Sequence, residues 1–395
     1  MLDFIVAYDA IFLVSCALHG RTPTDQELAR MDFESLYKQI SRQSVQSLTY
    51  FPIKRYIDKN GTLPDGLSRE LFAKWEMQYK LSVQKTVAFS VERERILSFF
   101  ESQGIWYLPM KGIILQNYYP EIGMRQMADN DFFFDIERRG DVRDYMVDHG
   151  YEAKTYGMGV HDTYVKKPFY NFEMHAYLYR ESVNKAFDVY YNGAKEMLIK
   201  DEDNCYGFHF SDEDFYIHMI THIFKHYDHG GLGFRFLADV YVYLKRNEAK
   251  LDWEYIPREL DKLQIKEFEE KVRKLSQKLF SDKCVNLRDD PDYLTDEESL
   301  ELSYYIKSGI YGTKEKAIRS KIRKLTGSEE KTAKGKAKYI LRRLFPSMLY
   351  YKENYPFLYK YKIFIPFFWV FRTVRGLFVR RNQTKNEMKM LNRKI

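Results

Sequence analysis

The sequence predicts an α+β fold in which a few strands lie between two helical regions. Apolar residues recur at helical spacing through the first hundred residues and again beyond Ser211, whereas the segment between them switches to short apolar runs punctuated by turns. With 395 residues, 45% hydrophobic and 17% aromatic, the chain is long enough for two or three domains with substantial cores.

The apolar run 10–18 reads as a core helix. Asp3 and Asp9 precede it and no basic segment does, so it is not a secretory signal. Thr24 caps a helix expected to run to Gln39, and Phe72 to Phe100 gives a long helical pattern with few breakers. Asn60-Gly61 and Pro64-Asp65-Gly66 mark the turn between them. The period then changes. Residues 104–110 form a short apolar strand, Lys111-Gly112 a tight turn and 113–119 a helix. A loop with Pro120 and Gly123 leads into a strand over 129–136. Residues 138–150 suit a helix closed by a glycine, and 171–177 a strand with Glu173 and His175 on one face. Ser211 to Asp214 offers a capping box for a helix through about Lys225, and further helices follow over 234–245, 267–279 and 297–308. This organisation divides the chain into an N-terminal helical region (1–100), a core (101–208), a C-terminal helical domain (209–312) and a tail (313–395).

The three cysteines, Cys16, Cys205 and Cys284, are odd in number and in no ligand spacing. They suggest neither a disulfide framework nor a zinc knuckle, and a cytoplasmic protein is expected. No run reaches the ~20 apolar residues of a membrane span, and the best candidate, 363–371, contains Pro366. The overall charge of +7 hides an asymmetry: residues 313–395 hold 23 Lys and Arg against 5 Glu, a net of +18, which leaves −11 for the rest. A tail of this kind meets something anionic, whether nucleic acid, a membrane surface or the acidic body itself.

Asp129 and Asp131 carry the chemistry. Strand side chains alternate, so both acids leave one face while Phe132 and Phe134 pack on the other. Two adjacent carboxylates repel unless a cation lies between them, and a hard divalent cation, Mg²⁺ or Mn²⁺, that also takes substrate phosphates is the economical explanation. Read structurally instead, the pair would be turn-forming acids at a loop end.

A helix, strand, turn, helix, loop and strand with D-x-D on the second strand is the layout of the nucleotidyltransferases related to DNA polymerase beta. Lys111-Gly112, Arg125, Asp129-x-Asp131 and the Glu173-x-His175 pair resemble an uncharacterised bacterial nucleotidyltransferase family with a K-G turn, R-x-x-x-D-x-D and E-x-H. The similarity extends to His222-x-x-x-His226, Arg235-x-x-x-Asp239 and the Phe-Pro-Ser element at 345–347. The resemblance implies a small mixed sheet with flanking helices and an enzyme that moves a nucleoside monophosphate from an NTP to an acceptor, with pyrophosphate leaving. It implies that Asp129, Asp131 and Glu173 ligate two metal ions and that Glu173 helps to activate an acceptor hydroxyl. Gly112 would let backbone amides approach the β- and γ-phosphates, Lys111 would add a charge, and Arg125 would reach the phosphates or brace the acid-bearing loop. Two departures stand out: Lys-Gly replaces the superfamily's usual Gly-Ser, and the residue inside D-x-D is Asn130 where an aliphatic is common.

Several residues have competing readings. Glu173 could be a solvated strand glutamate or an ion-pair partner, with Asp135 or Asp188 as the third acid instead. His218, His222 and His226 share a helical face; structural or substrate-pocket roles suit them better than zinc, because no matching acid or cysteine accompanies them. Arg235 and Asp239 read as a bracing pair within one helix. Two other functions compete: a D-x-D glycosyltransferase using a nucleotide sugar, and a non-catalytic nucleotidyltransferase fold serving as a binding or scaffold protein at a membrane through 313–395. The acceptor is open among a small molecule, a saccharide and a protein, and nucleic acid is the disfavoured partner, since no base-reading motif accompanies the basic tail.

Overall fold

The computed structural model of the chain describes residues 2–180, 184–309, 312, 314–326, 332–346, 348, 351, 355–378, 388, 390 and 391. Thr313 at the expected tail boundary and Ser347 of the Phe-Pro-Ser element lie outside the described residues. Contacts gather the chain into two compact units, one formed by 1–156, 160–224 and 232–310, the other by 157–159, 225–231 and 311–395.

Within the first unit, α1 (Leu2–His19) is apolar all round, and Ala10, Phe12, Leu13, Val14 and Ala17 are fully buried. A helix of that composition belongs inside a bundle, and α1 packs against α3 (Phe33–Gln43) and α4 (Gln46–Asn60). The single helix expected from Thr24 to Gln39 is two. Thr24 caps α2 (Asp25–Ala29) with a reciprocal Glu27 box, and the Asp32 side chain then accepts from the Ser35 amide, starting α3 afresh. The long α5 (Arg69–Gln103) begins on Ser68 and ends on Gly104 at φ 67°, the left-handed position a glycine occupies at least cost.

A five-stranded mixed sheet follows. In chain order its strands are β1 (Tyr107–Pro109), β2 (Asn130–Phe134), β3 (Glu152–Thr155), β4 (His161–Lys166) and β5 (Tyr170–His175). In space the order is β1-β2-β5-β4-β3, with β2 and β5 parallel and the other neighbours antiparallel. One face is the core: Phe132, Phe134, Phe172, Met174 and Tyr164 are fully buried against Phe89, Ile96 and Phe100 of α5 and against Val142 and Met146 of α7 (Arg139–Asp148). Asn130 sits on that packed face at zero exposure, and its side-chain oxygen accepts from Arg93 Nη1 at 2.8 Å. The polar residue inside D-x-D therefore has a partner on α5. The segment expected as one helix over 113–119 is a single α-turn, α6 (Gly112–Leu115), followed by a 3-10 turn over Gln116–Tyr118.

Between the sheet and the later helices lies α8 (Lys185–Tyr190). It carries Asp188, one of the alternative third acids. Asp135 accepts from the Glu137 amide to start a 3-10 turn. Neither alternative third acid thus stands on a strand. The helix begun by Ser211, α9 (Asp212–His229), runs four residues past Lys225. Then come α10 (Arg235–Asn247), α11 (Tyr255–Lys262), α12 (Lys266–Leu279) and α13 (Asp296–Ser308).

In the second unit, α14 (Lys314–Thr326) and α15 (Ala333–Leu344) pair through Ile318, Ile322 and Tyr339. The helix Ile365–Phe378 follows, and Trp369 Nε1 donates to Tyr351 at 2.6 Å. Among the described residues no helix is long and apolar enough to cross a membrane.

Candidate active site

The site face of the sheet is fixed by register. Asp131 on β2 lies directly opposite Glu173 on the parallel β5, and on the antiparallel β4 Thr163 faces Glu173 and His161 faces His175. Because successive side chains alternate, Asp131, Glu173, His175 and His161 all leave the face opposite the Phe-rich core. Asp129, one residue before β2, shares the side of Asp131 and is half-buried.

Lys111 reaches into this group from the turn after β1. Its Nζ donates to Asp131 Oδ1 at 2.5 Å and lies 3.4 Å from His175 Nε2, which is itself 2.9 Å from the same carboxylate oxygen. The lysine holds a backbone conformation of φ 50°, ψ −116°. A non-glycine residue kept there is strained, by a cost of order 1–3 kcal/mol, and persists only where its surroundings require it. Gly112 follows for a packing reason: a Cβ there would come within 2.6 Å of Arg125 Nη1 and 2.9 Å of Met127 Cε.

Arg125 is buried and bidentate on Asp239, with Nε to Oδ1 at 2.8 Å and Nη2 to Oδ2 at 3.0 Å, and Tyr119 donates to the same carboxylate at 2.8 Å. Asp239 therefore does not brace Arg235, its expected helical partner, but ties α10 to the loop that delivers Asp129. Arg235 instead donates to the Gln126 carbonyl at 3.0 Å and holds the same loop from its other side.

The electrostatics follow from crowding in a buried place. Burial works against the Lys111 ammonium, yet Asp131, with Glu173 and Asp129 beyond, outweighs it and holds Lys111 above its ordinary value. Asp131 is the settled carboxylate of the group. Burial would raise it, but Lys111 and His175 keep it well below the usual range. Glu173 is pushed up to about 7 by burial and then by Asp131 and Asp129, and Asp129 is raised by burial and by Asp131. His175 is pushed down to about 3 by burial and by Lys111, so its imidazole is neutral.

This is a donor set that fits a divalent cation. Asp129, Asp131 and Glu173 interact around one ammonium, and Asp129 and Glu173 are kept from ionising freely by burial and then by repulsion from their acidic neighbours, which a second positive charge would relieve. His161, missed in the sequence because it lies twelve residues from Glu173 on another strand, joins the group with its Nε2 3.6 Å from Glu173 Oε2.

Lys111 also lines a small, mostly apolar pocket with Leu115, Phe215, His218, His222 and Ile223. His226 belongs to the other unit.

Over residues 29–281, well over half of its length, the chain matches the family described as uncharacterised nucleotidyltransferase. The chain belongs to that family. The match takes in the whole sheet and the helices from α3 through α12. No curated protein and no solved structure matches the chain. As a family member it has the α+β core expected of a nucleotidyltransferase, and nucleotidyl transfer is the family's class of reaction.

Proposed function

We propose that this nucleotidyltransferase moves a nucleoside monophosphate from an NTP to a hydroxyl or phosphate of an acceptor, with Asp129, Asp131 and Glu173 as its metal-binding acids. The observation that carries the reading is the Asp131–Glu173 register, which sets a third carboxylate beside the D-x-D on the face opposite the core. Bound divalent cations, Mg²⁺ or Mn²⁺, would neutralise triphosphate charge and polarise the α-phosphorus. The acceptor oxygen forms a bond to the α-phosphorus as the bond to pyrophosphate breaks, and Glu173 takes the acceptor's proton. Lys111, already the cation of the site, contacts the triphosphate. Arg125 works at one remove: its guanidinium is committed to Asp239, so it positions the loop carrying Asp129 and touches no phosphate. Gly112 serves the same arrangement by leaving room for Arg125.

Equilibrium binding of NTPs, with and without Mg²⁺, tests the reading together with transfer of an α-labelled nucleotide. Mg²⁺-dependent binding that is lost in the double variant Asp129→Ala, Asp131→Ala is expected. Binding indifferent to Mg²⁺, or turnover unchanged in that variant, defeats it.

A second reading concerns 313–395. Phe357, Ile363, Phe367, Val370 and Phe371 are each more than half exposed, beside Lys360, Lys362 and Arg372 in a stretch of net charge +18. Apolar side chains among cations match the interface of an anionic bilayer, and peripheral contact of this segment with such a surface is the second proposal.

A further inference from the structure

We infer that His161, Glu173 and His175 form a binding site for a divalent transition metal, one that shares Glu173 with the Asp129–Asp131–Glu173 set but adds two imidazoles to it. This inference goes beyond the proposed activity and does not depend on it. The three side chains come from two antiparallel strands whose register puts His161 opposite His175, with Glu173 two residues along on the same face. His161 Nε2 is 3.6 Å and His175 Nε2 3.8 Å from Glu173 Oε2, and the ligand atoms of the trio all lie within 4.8 Å of one another. Metal bonds of ~2.0–2.2 Å make ligand atoms roughly 3–4 Å apart neighbours on one ion, so small side-chain rotations complete the site.

The chemistry of the donors separates this trio from the three acids. Two imidazoles and one carboxylate suit Zn²⁺, Co²⁺ or Mn²⁺, whereas Mg²⁺ prefers an all-oxygen shell with several waters. Three protein ligands leave coordination positions open, the arrangement of a reactive rather than a structural metal. A second observation points the same way. The His175 ring is 4% exposed, and its Nδ1 is buried with no hydrogen-bond partner among the described residues. Without metal, Nε2 donates to Asp131 Oδ1 at 2.9 Å; a bound ion takes the Nε2 lone pair, the ring proton moves to Nδ1, and Asp131 is left to Lys111, whose Nζ is 2.5 Å from the same oxygen. Glu173 is then the ligand common to an oxygen-rich side and a nitrogen-rich side.

Co²⁺ is the probe, because imidazole-bound Co²⁺ gives a visible ligand-field absorption that reports coordination without any turnover. Full-length protein freed of metal by chelation and titrated with CoCl₂ is expected to develop that absorption at one equivalent, to lose it on adding Zn²⁺, and to keep it in millimolar Mg²⁺. His161→Ala and His161→Gln, at a side chain one-third exposed and outside the core, are expected to weaken Co²⁺ binding at least ~10-fold, while Asp129→Ala retains the band. An absent band, a band unchanged in both His161 variants, or one lost with Asp129→Ala but kept without His161 overturns the inference. None of these readings involves a nucleotide, so failure of the proposed transfer reaction is seen separately.

Discussion

Asp131 and Glu173 are paired residues on parallel neighbouring strands, yet they stand in opposite electrostatic states. Lys111 and His175 hold Asp131 ionised, while Glu173, pushed up to about 7, meets the repulsion of Asp131 and Asp129. The sign of the resulting pH dependence is fixed. A carboxyl whose folded-state value lies above its unfolded one binds more protons when folded, so stability is full below about 4.5 and declines as pH rises through about 7. Metal-free protein is therefore expected to show a falling thermal midpoint over that window. Glu173→Gln, which removes the charge and keeps the shape, is expected to be more stable than the parent at pH 8 in chelator and to gain less from Mg²⁺. A midpoint that rises over the window would show that the acids do not crowd one another.

Lys111 provides the complementary test. Among the described residues it is the one cation in contact with Asp131, and it pays for that place with a strained backbone. In Lys111→Met the buried Asp131 carboxylate loses its ammonium and keeps the neutral His175, so a drop in stability in chelator is expected. Added Mg²⁺ should then stabilise the variant more than it stabilises the parent, because the ion replaces the missing charge. Differential scanning calorimetry at matched free Mg²⁺ measures both. An equal Mg²⁺ response in the two proteins would separate the lysine from the cation site.

The Arg125–Asp239 pair joins the acid-bearing loop to α10, 114 residues later in the chain. Removing one member of a buried, bidentate pair leaves the other uncompensated, at a cost of about 3–5 kcal/mol. Asp239→Ala is expected to lose stability on that scale in urea unfolding and to weaken Mg²⁺-dependent nucleotide binding, since the loop before Asp129 loses its anchor. Gly112→Ala acts on the same contact through sterics, its Cβ meeting Arg125 Nη1 at 2.6 Å. A loss of stability with undiminished nucleotide binding would confine the pair to folding.

How far the sequence could be read follows from which contacts are local. The alternation of Asp129 to Phe134 gave the two faces of β2, and the Glu173-x-His175 spacing gave the face of β5, because a period of two is a property of the strand alone. The partner strand of β5 is not local. His161 became a site residue only through the antiparallel register of β4, and nothing near position 161 marks it. The same holds for Asp239: spacing of four along a helix pointed to Arg235, and the fold gave it Arg125 instead. The break between α2 and α3 was legible in principle, since Asp32 and Ser35 form a local cap, but apolar periodicity runs across it. Lys111 shows a further limit, because its side-chain type invited a phosphate-binding reading while its backbone strain and its bond to Asp131 are set by tertiary packing.

The tail proposal makes a prediction independent of the catalytic one. Each basic side chain near an anionic surface contributes ~1 kcal/mol, and each phenylalanine fully transferred out of water contributes roughly 1.5–3 kcal/mol. Phe367 is 72% and Phe371 56% exposed, so both are free to enter an interface without unpacking their own unit. Flotation with vesicles containing anionic lipid is expected to carry the full chain upward at low salt and to lose it at high salt, as charge attraction is screened. Phe367→Glu with Phe371→Glu should reduce the bound fraction at least ~10-fold at fixed lipid, since two apolar contacts are lost and two repulsive charges gained. Binding unaffected by that double substitution, or equal on neutral vesicles, would assign the basic segment to some other anionic partner.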